Sequence, residues 1–240
     1  PSEQLIIDRS KLTHVYDNID EVIKIRPENI PLIGFCGGPL TTFCFMFRGH
    51  ARDVTFHDAI KFLYSNPKES KKIIDALTEL SIEYALKQVE HGVECFQLFE
   101  TYAGLIPEEL YKELIFSSSK RILNAVRDKG VPTIYLPKNF GGGLKYINKD
   151  ICDFISIDWH TPIKTARSLV DNSVGLQGNI DPRLLYADES VIVKKLEEMI
   201  PFGRDNQDWI FNLGHGFLPD IKMEKAKFVV DWVKETNWNR

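Results

Sequence analysis

Six short apolar runs recur along the chain: Pro31–Cys36 (PLIGFC), Val93–Phe99 (VECFQLF), Pro132–Leu136 (PTIYL), Asp153–Ile157 (DFISI), Ser173–Leu176 (SVGL) and Asp208–Leu213 (DWIFNL). They are near-continuous instead of alternating, the pattern of strands covered on both faces. Between them the apolar spacing turns helical. The clearest helix opens at Asn66-Pro67-Lys68-Glu69, with Asn as N-cap, Pro at the first helical position and Glu three residues after the cap. Its stripe is Ile73, Leu77, Leu80 and Tyr84, and Gly92 closes it. Further helices are predicted near 107–129, 161–171, 189–200 and 222–236. Residues 1–30 add a short strand at Leu5-Ile6-Ile7 and a helix over 16–25.

Strand and helix in strict alternation predict an α/β fold with a parallel sheet. The residues after each run choose between an open sheet and a barrel. They are Gly37-Gly38, Glu100-Thr101, Pro137-Lys138, Asp158-Trp159-His160, Gln177-Gly178-Asn179 and Gly214-His215-Gly216. Polar or glycine-rich chemistry at every strand tip is what the active face of a (β/α)8 barrel of the TIM type shows, and an open sheet would gather it at one switch point. The expectation is one barrel domain over residues 1–240, with the strand tips near one rim. A closed barrel needs eight strands, so the first two βα units are expected to be missing from this chain.

Composition narrows the function without naming it. The 240 residues are 43% hydrophobic and carry a formal charge of -4, so no basic field marks a nucleic-acid binder. No apolar run approaches the roughly 20 residues of a membrane span, and the first residues carry no signal-peptide pattern. Cys36, Cys44, Cys95 and Cys152 have no CxxC spacing, which suits free thiols in a reducing, cytoplasmic setting.

The strand tips also hold the candidate chemistry. His215, between two glycines, sits where a ligand can approach the backbone, and an imidazole there can meet a carboxylate or move a proton. Asp181-Pro182 reads as an N-cap and first helical residue, leaving Gln177 and Asn179 as polar wall. Asp158 and His160, two apart on extended backbone, share a face and can meet; such an aspartate more often satisfies nearby amides. Asn139–Leu144 (NFGGGL) lacks the Gly-Lys-Ser/Thr ending of a phosphate loop and reads as a flexible loop. No ligand pair of the right spacing supports a zinc site.

Together these motifs resemble a known family. PLIGFCGGPLTTFCFMFRG (31–49), FQLFETYAG (96–104), ISIDWHTP (155–162), LQGNIDP (176–182) and FNLGHGFLPD (211–220) occur in the order and spacing of uroporphyrinogen decarboxylase. The resemblance implies a (β/α)8 barrel that works as a homodimer without cofactor or metal. It would remove carboxylate from the four acetate side chains of uroporphyrinogen to give coproporphyrinogen, in porphyrin and haem biosynthesis. A protonated pyrrole can serve as the electron sink that other decarboxylases take from a cofactor. By the same resemblance His215 is catalytic and contacts substrate, and Phe99 lines the cavity. Thr101 stands where the family has serine, and Phe45 where it has an active-site tyrosine. Arg48 replaces a glutamate and takes no role.

Residues 1–30 lack the family's arginine-rich loop and its pyrrole-facing aspartate, so the 240-residue chain alone is expected not to decarboxylate. Two other readings stand beside this one. A methyltransferase of the same fold uses zinc with a corrinoid or thiol partner, but typically carries Gly-Cys-Gly where this chain has Gly214-His215-Gly216. A non-catalytic paralogue binding a porphyrin precursor would suit Phe45 and the missing front segment.

Overall fold

The structure, a computed structural model, describes residues 8–48 and 55–239. Six strands run β1 (Ile33–Gly37), β2 (Cys95–Glu100), β3 (Thr133–Pro137), β4 (Phe154–Ser156), β5 (Gly175–Gln177) and β6 (Trp209–Ile210). They form one sheet in chain order, and every neighbouring pair is parallel. The helices are α1 (Thr13–Ile25), α2 (Pro39–Arg48), α3 (His57–Ser65), α4 (Pro67–Glu90), α5 (Glu108–Tyr111), α6 (Ser117–Arg127), α7 (Ile163–Leu169), α8 (Glu189–Glu197), α9 (Ile200–Asp205) and α10 (Met223–Glu235). All six predicted strands are present, and the predicted strand at Leu5-Ile6-Ile7 lies outside the described residues. Helices α2 and α3 were not foreseen: their apolar positions run almost unbroken, and the glycines and prolines around them obscure the period.

The sheet bends into a barrel wall. Across the register, Phe99, Leu136, Ser156, Gln177 and Ile210 fall in one layer on one face. Gln97 on β2 donates to Gln177 Oε1 on β5 at 3.2 Å, although two strands separate them. In a flat sheet their strands would lie about 14 Å apart, so this bond requires the curvature of a barrel. That is the partial (β/α)8 architecture the alternation predicts. The middle of the sheet is covered on both faces, β3 being buried at every position. The edge strands depart from the expected double cover: Ile33 and Phe35 on β1 are 45% and 60% exposed, and Ile210 on β6 is 37% exposed. Their inward side chains have neighbours on one side only.

Helix α4 begins where predicted, but Asn66 does not cap it through its side chain. Its side-chain amide and its backbone N–H both donate to the Phe62 carbonyl, at 3.4 and 2.8 Å, so Asn66 closes the C-terminus of α3, which ends one residue earlier. The buried stripe is Ile73, Ile74, Leu77, Ser81, Ala85 and Gln88; Tyr84 turns aside to meet Tyr16 of α1. At the end of α4 the Gln88 amide exchanges both of its hydrogen bonds with the backbone of Phe35, at 3.1 and 3.0 Å. A side chain thereby occupies the free edge of β1, where a neighbouring strand would otherwise bond.

At the top of β2, Glu100 is wholly buried and turned outward against the start of α2. Its carboxylate accepts from Thr41 N (2.6 Å), Thr41 Oγ1 (2.5 Å) and Leu40 N (3.1 Å). The two backbone N–H groups are orphan donors of a helix N-terminus, where negative charge is favoured. The carboxylate fits because Gly38 is bare: a Cβ there would stand 2.3 Å from Glu100 Oε2. Burial pushes the Glu100 carboxyl up to about 7, against the pull of the Thr41 and Leu40 donors.

A carboxyl that holds its proton more tightly folded than unfolded contributes stability that is full below its unfolded value of 4.5 and is lost as pH rises through about 7. The loss is about 3 kcal/mol at most. Glu100→Gln is therefore expected to be less stable than the parent at low pH by about 1–3 kcal/mol, since its NH2 would face a helix N–H. The gap should narrow towards pH ~8. Thermal melts across that range check it, and parallel curves for the two proteins would contradict it.

Candidate functional site at the strand tips

Because all strands run the same way, their C-terminal ends share one rim. Against it lies a cavity of about 440 Å³. Phe99, Leu136 and Ser156 form its inner wall and Gln97 its floor. The segment Phe211–Phe217, together with Val229 and Val230 of α10, forms the other side. The wall is mostly apolar, with a few polar groups convergent at the mouth, the usual make-up of a small-molecule site. A larger polar depression of about 690 Å³ lies at the opposite ends of the strands, between Lys120, Arg127, Asp150 and Asp153. Its charges answer one another, Asp153 pairing with Arg127 at 3.5 Å and Lys149 at 2.9 Å. The chemistry is at the other rim.

His215 and Phe99 both line the rim cavity, as expected. Segment 211–214 is fixed by an isolated parallel bridge from Leu213 to Ile180 and by Gly214 N donating to the Ile180 carbonyl at 2.7 Å. His215 is half-buried and stands edge-on to Trp159, ring centroids 6.3 Å apart. Its Nδ1 is 3.3 Å from the Gly216 carbonyl, which can only accept, so Nε2 is the nitrogen left free. Burial first, and then the charge of Lys138, hold the imidazole below its ordinary value of 6.5. Neutral pH therefore finds it uncharged.

The two glycines beside His215 do different work. A Cβ on Gly214 would stand 2.6 Å from Trp159 N and 3.0 Å from the Asp158 carbonyl carbon, so this glycine lets two strand tips touch. A Cβ on Gly216 would meet nothing within 4 Å. Open space beside the backbone thus exists at Gly216 and not at Gly214, where the expectation of a cleared path fails.

Asp158 and His160 do meet, Nδ1 to Oδ1 at 2.8 Å. The carboxylate is 4% exposed and also accepts from His160 N (2.9 Å) and Asn139 N (2.6 Å). Its lone pairs hold two loops in place, the bland role expected for such an aspartate. Asn179 is not cavity wall; its amide donates to the carbonyls of Asp158 (3.0 Å) and Thr161 (2.5 Å). Gln177 is buried inside the barrel against Gln97. Asp181 caps through Arg183 N at 2.9 Å, as its sequence implies. Gly141–Tyr146, expected as a flexible loop, is a helical turn with Gly143 and Leu144 buried.

Phe45 and Thr101 belong to the same rim but not to that cavity's walls. Phe45, 41% exposed on α2, meets Tyr102 and Phe56 edge-on at 5.6 and 5.8 Å, and the Arg48 guanidinium lies over its ring at 4.8 Å. Thr101 stands between Tyr102 and the buried Glu100, and Tyr102 N donates to Thr41 Oγ1 at 3.4 Å. The sequence reading passed over the indole of Trp159, which Lys138 and Arg183 overlie at 5.1 and 5.3 Å. The available signal was a tryptophan and a lysine each at a strand tip.

Comparison with known proteins adds the following. Residues 2–236 match the sequence profile of a family described as Uroporphyrinogen decarboxylase (URO-D). The uroporphyrinogen decarboxylase of Rickettsia bellii is 32% identical over 230 residues, covering 94% of this chain and 66% of that protein. The enzyme of the same name from Pelobacter propionicus is 32% identical, covering 97% and 68%. That from Campylobacter jejuni is 34% identical, covering 95% and 66%. The chain thus spans about two thirds of the length of these curated relatives. Among solved structures, a methyltransferase from Methanosarcina mazei superposes with a TM-score of 0.76 at 18% identity, over 97% of this chain and 68% of that one. A B12-independent methionine synthase from Shewanella sp. W3-18-1 gives 0.65 at 12% identity, over 91% and 64%. At those identities the likeness is one of fold.

The glycine geometry makes a paired prediction. Gly214→Ala drives a methyl into backbone atoms that cannot swing aside and should cost about 1–3 kcal/mol. Gly216→Ala, with open space around it, should stay within about 0.5 kcal/mol of the parent. Urea unfolding of the two variants measures both; equal midpoints would show that the tips of β4 and β6 do not touch.

Proposed function

The chain belongs to the uroporphyrinogen decarboxylase family, and from that premise we propose that the protein removes the acetate carboxylates of uroporphyrinogen to give coproporphyrinogen. The observation that carries the proposal is the meeting of His215 and Phe99 at one apolar cavity on the catalytic rim. The cavity volume suits a pyrrole ring with its acid arms, and the exposed inner face of β1 continues the apolar surface, Phe35 lying edge-on to Phe99 at 5.7 Å. A macrocycle can therefore rest its rings on aromatic and aliphatic wall while its carboxylates remain at the mouth. His215, uncharged when the site is empty, gains a proton as an acid arm approaches its free Nε2, and the resulting ion pair orients that arm. Thr101 and Phe45 then border the ring system from the side of β2 and α2. A cytoplasmic homodimer with no nucleic-acid or membrane partner completes the reading, in keeping with a net charge of -4. Among the described residues no helix is long and apolar enough to cross a membrane.

The test is conversion of uroporphyrinogen under reducing conditions, with the oxidised products separated by chromatography. It uses this chain joined to the segment of a family member that carries the arginine-rich loop and the pyrrole-facing aspartate, the 240 residues alone being expected to be inactive. Coproporphyrin among them supports the proposal. A protein that binds uroporphyrin yet leaves its acetate arms intact is the non-catalytic paralogue, and one that does neither refutes the tetrapyrrole reading. In the active protein His215→Asn should lower kcat/KM by about 10- to 100-fold, the worth of one charge-assisted hydrogen bond. Its thermal stability should change little, because the side chain lies at a mouth and not in the core. The parent's kcat/KM should also fall as pH rises through the depressed imidazole value, and the variant should lose that slope.

A further inference from the structure

We propose that Lys138 is a carboxylate-binding residue of this site, holding an acid arm of the substrate over the Trp159 indole beside His215. The inference rests on the tetrapyrrole reading above and adds a residue to it. Strand alternation places Lys138 two positions beyond Leu136, a cavity-wall residue of β3, and so one step nearer the mouth. Its backbone is fixed on both sides: Lys138 N donates to the Glu100 carbonyl, and Gly104 N donates to the Lys138 carbonyl, each at 3.1 Å.

Four basic groups gather on Trp159. Lys138 Nζ lies 5.1 Å and Arg183 Cζ 5.3 Å from its ring centroid, with the His160 and His215 rings at 4.7 and 6.3 Å. Two of the four already have carboxylates. Arg183 pairs with Asp181 at 2.9 Å, and His160 with Asp158 at 2.8 Å. Lys138 differs: among the described residues no carboxylate stands at ion-pair distance from Nζ, whose one specific contact is the indole face. Asp158, the acid near enough to act on it electrostatically, has its oxygens committed to Asn139 and His160. A half-buried ammonium without a counter-ion is destabilising, and burial accordingly pushes its pKa down. Its charge also reaches His215 and lowers the imidazole. A carboxylate arriving between the two relieves both strains at once. An indole platform with an ammonium above it suits the edge of a pyrrole carrying an acid arm.

The experiment titrates the purified protein with uroporphyrin, a stable oxidised analogue, following quenching of tryptophan fluorescence. Lys138→Met keeps the aliphatic stem over Trp159 and removes the charge; Lys138→Arg restores it. The Met variant should bind about tenfold more weakly, one charged contact's worth, while its melting temperature stays level or rises. The Arg variant should recover most of the affinity. In the Met variant the NMR titration midpoint of His215 should also move up. Unchanged affinity in the Met variant, or an Arg variant as weak as Met, overturns the assignment and leaves the tetrapyrrole reading standing. A parent protein that binds no uroporphyrin overturns both.

Discussion

The Glu100 carboxylate is the interaction on which the rest of the site is built. It ties the end of a central strand to the N-terminus of α2, and every rim residue from Thr101 to Phe45 hangs from that junction. A buried carboxylate costs several kcal/mol in isolation. Here three donors and a helix N-terminus offset much of that cost, yet not all, as the raised carboxyl pKa records. The residual cost holds the junction in one geometry: Gly38 can bear no side chain while the carboxylate is in place, and Thr41 turns its hydroxyl to serve Glu100 and Tyr102 together. Behind it the Tyr111 and Tyr135 hydroxyls bond to each other in the dry layer between sheet and helices. The chain invests its buried polar chemistry in fixing a rim.

At the other side of the rim the polar groups are left under-committed. Asp158 is consumed by structure, and by holding Asn139 and His160 it sets the two loops that flank Trp159. Lys138 and His215, by contrast, have no carboxylate at ion-pair distance among the described residues, and burial lowers the pKa of both. Stability would favour a neutral residue at position 138; a site awaiting an acid favours the lysine. Local electrostatic discomfort of this kind marks functional positions more often than structural ones.

The legible part of the fold was its periodicity. Six runs of four to seven mostly apolar residues, with glycine or a polar group soon after each, read as parallel strands sharing a rim. That places His215 at the mouth; Phe99 comes only from the family resemblance. What escaped was set by tertiary partners. Asn66 looks like a cap and instead serves the preceding helix, a choice made by the distance to Phe62. Gly214 and Gly216 look symmetrical, but only one has a second strand tip against it. The edge strands look like buried ones because sequence records hydrophobicity and not whether a neighbour is there. Lys138 carried no motif; its meaning lies in which carboxylates are already taken.

The likeness in fold to a methyltransferase and a methionine synthase, at 18% and 12% identity, sharpens the point. A parallel barrel commits its interior to packing and leaves strand tips free to differ, so one scaffold accepts unrelated chemistries. The discriminating positions are therefore few and lie after the strands. In this chain they set one imidazole in the mouth of an apolar cavity, with an indole and an ammonium beside it. Such groups recognise flat rings and carboxylates by charge and stacking. The scaffold fixes where these groups stand, and the residues after each strand decide what they can meet.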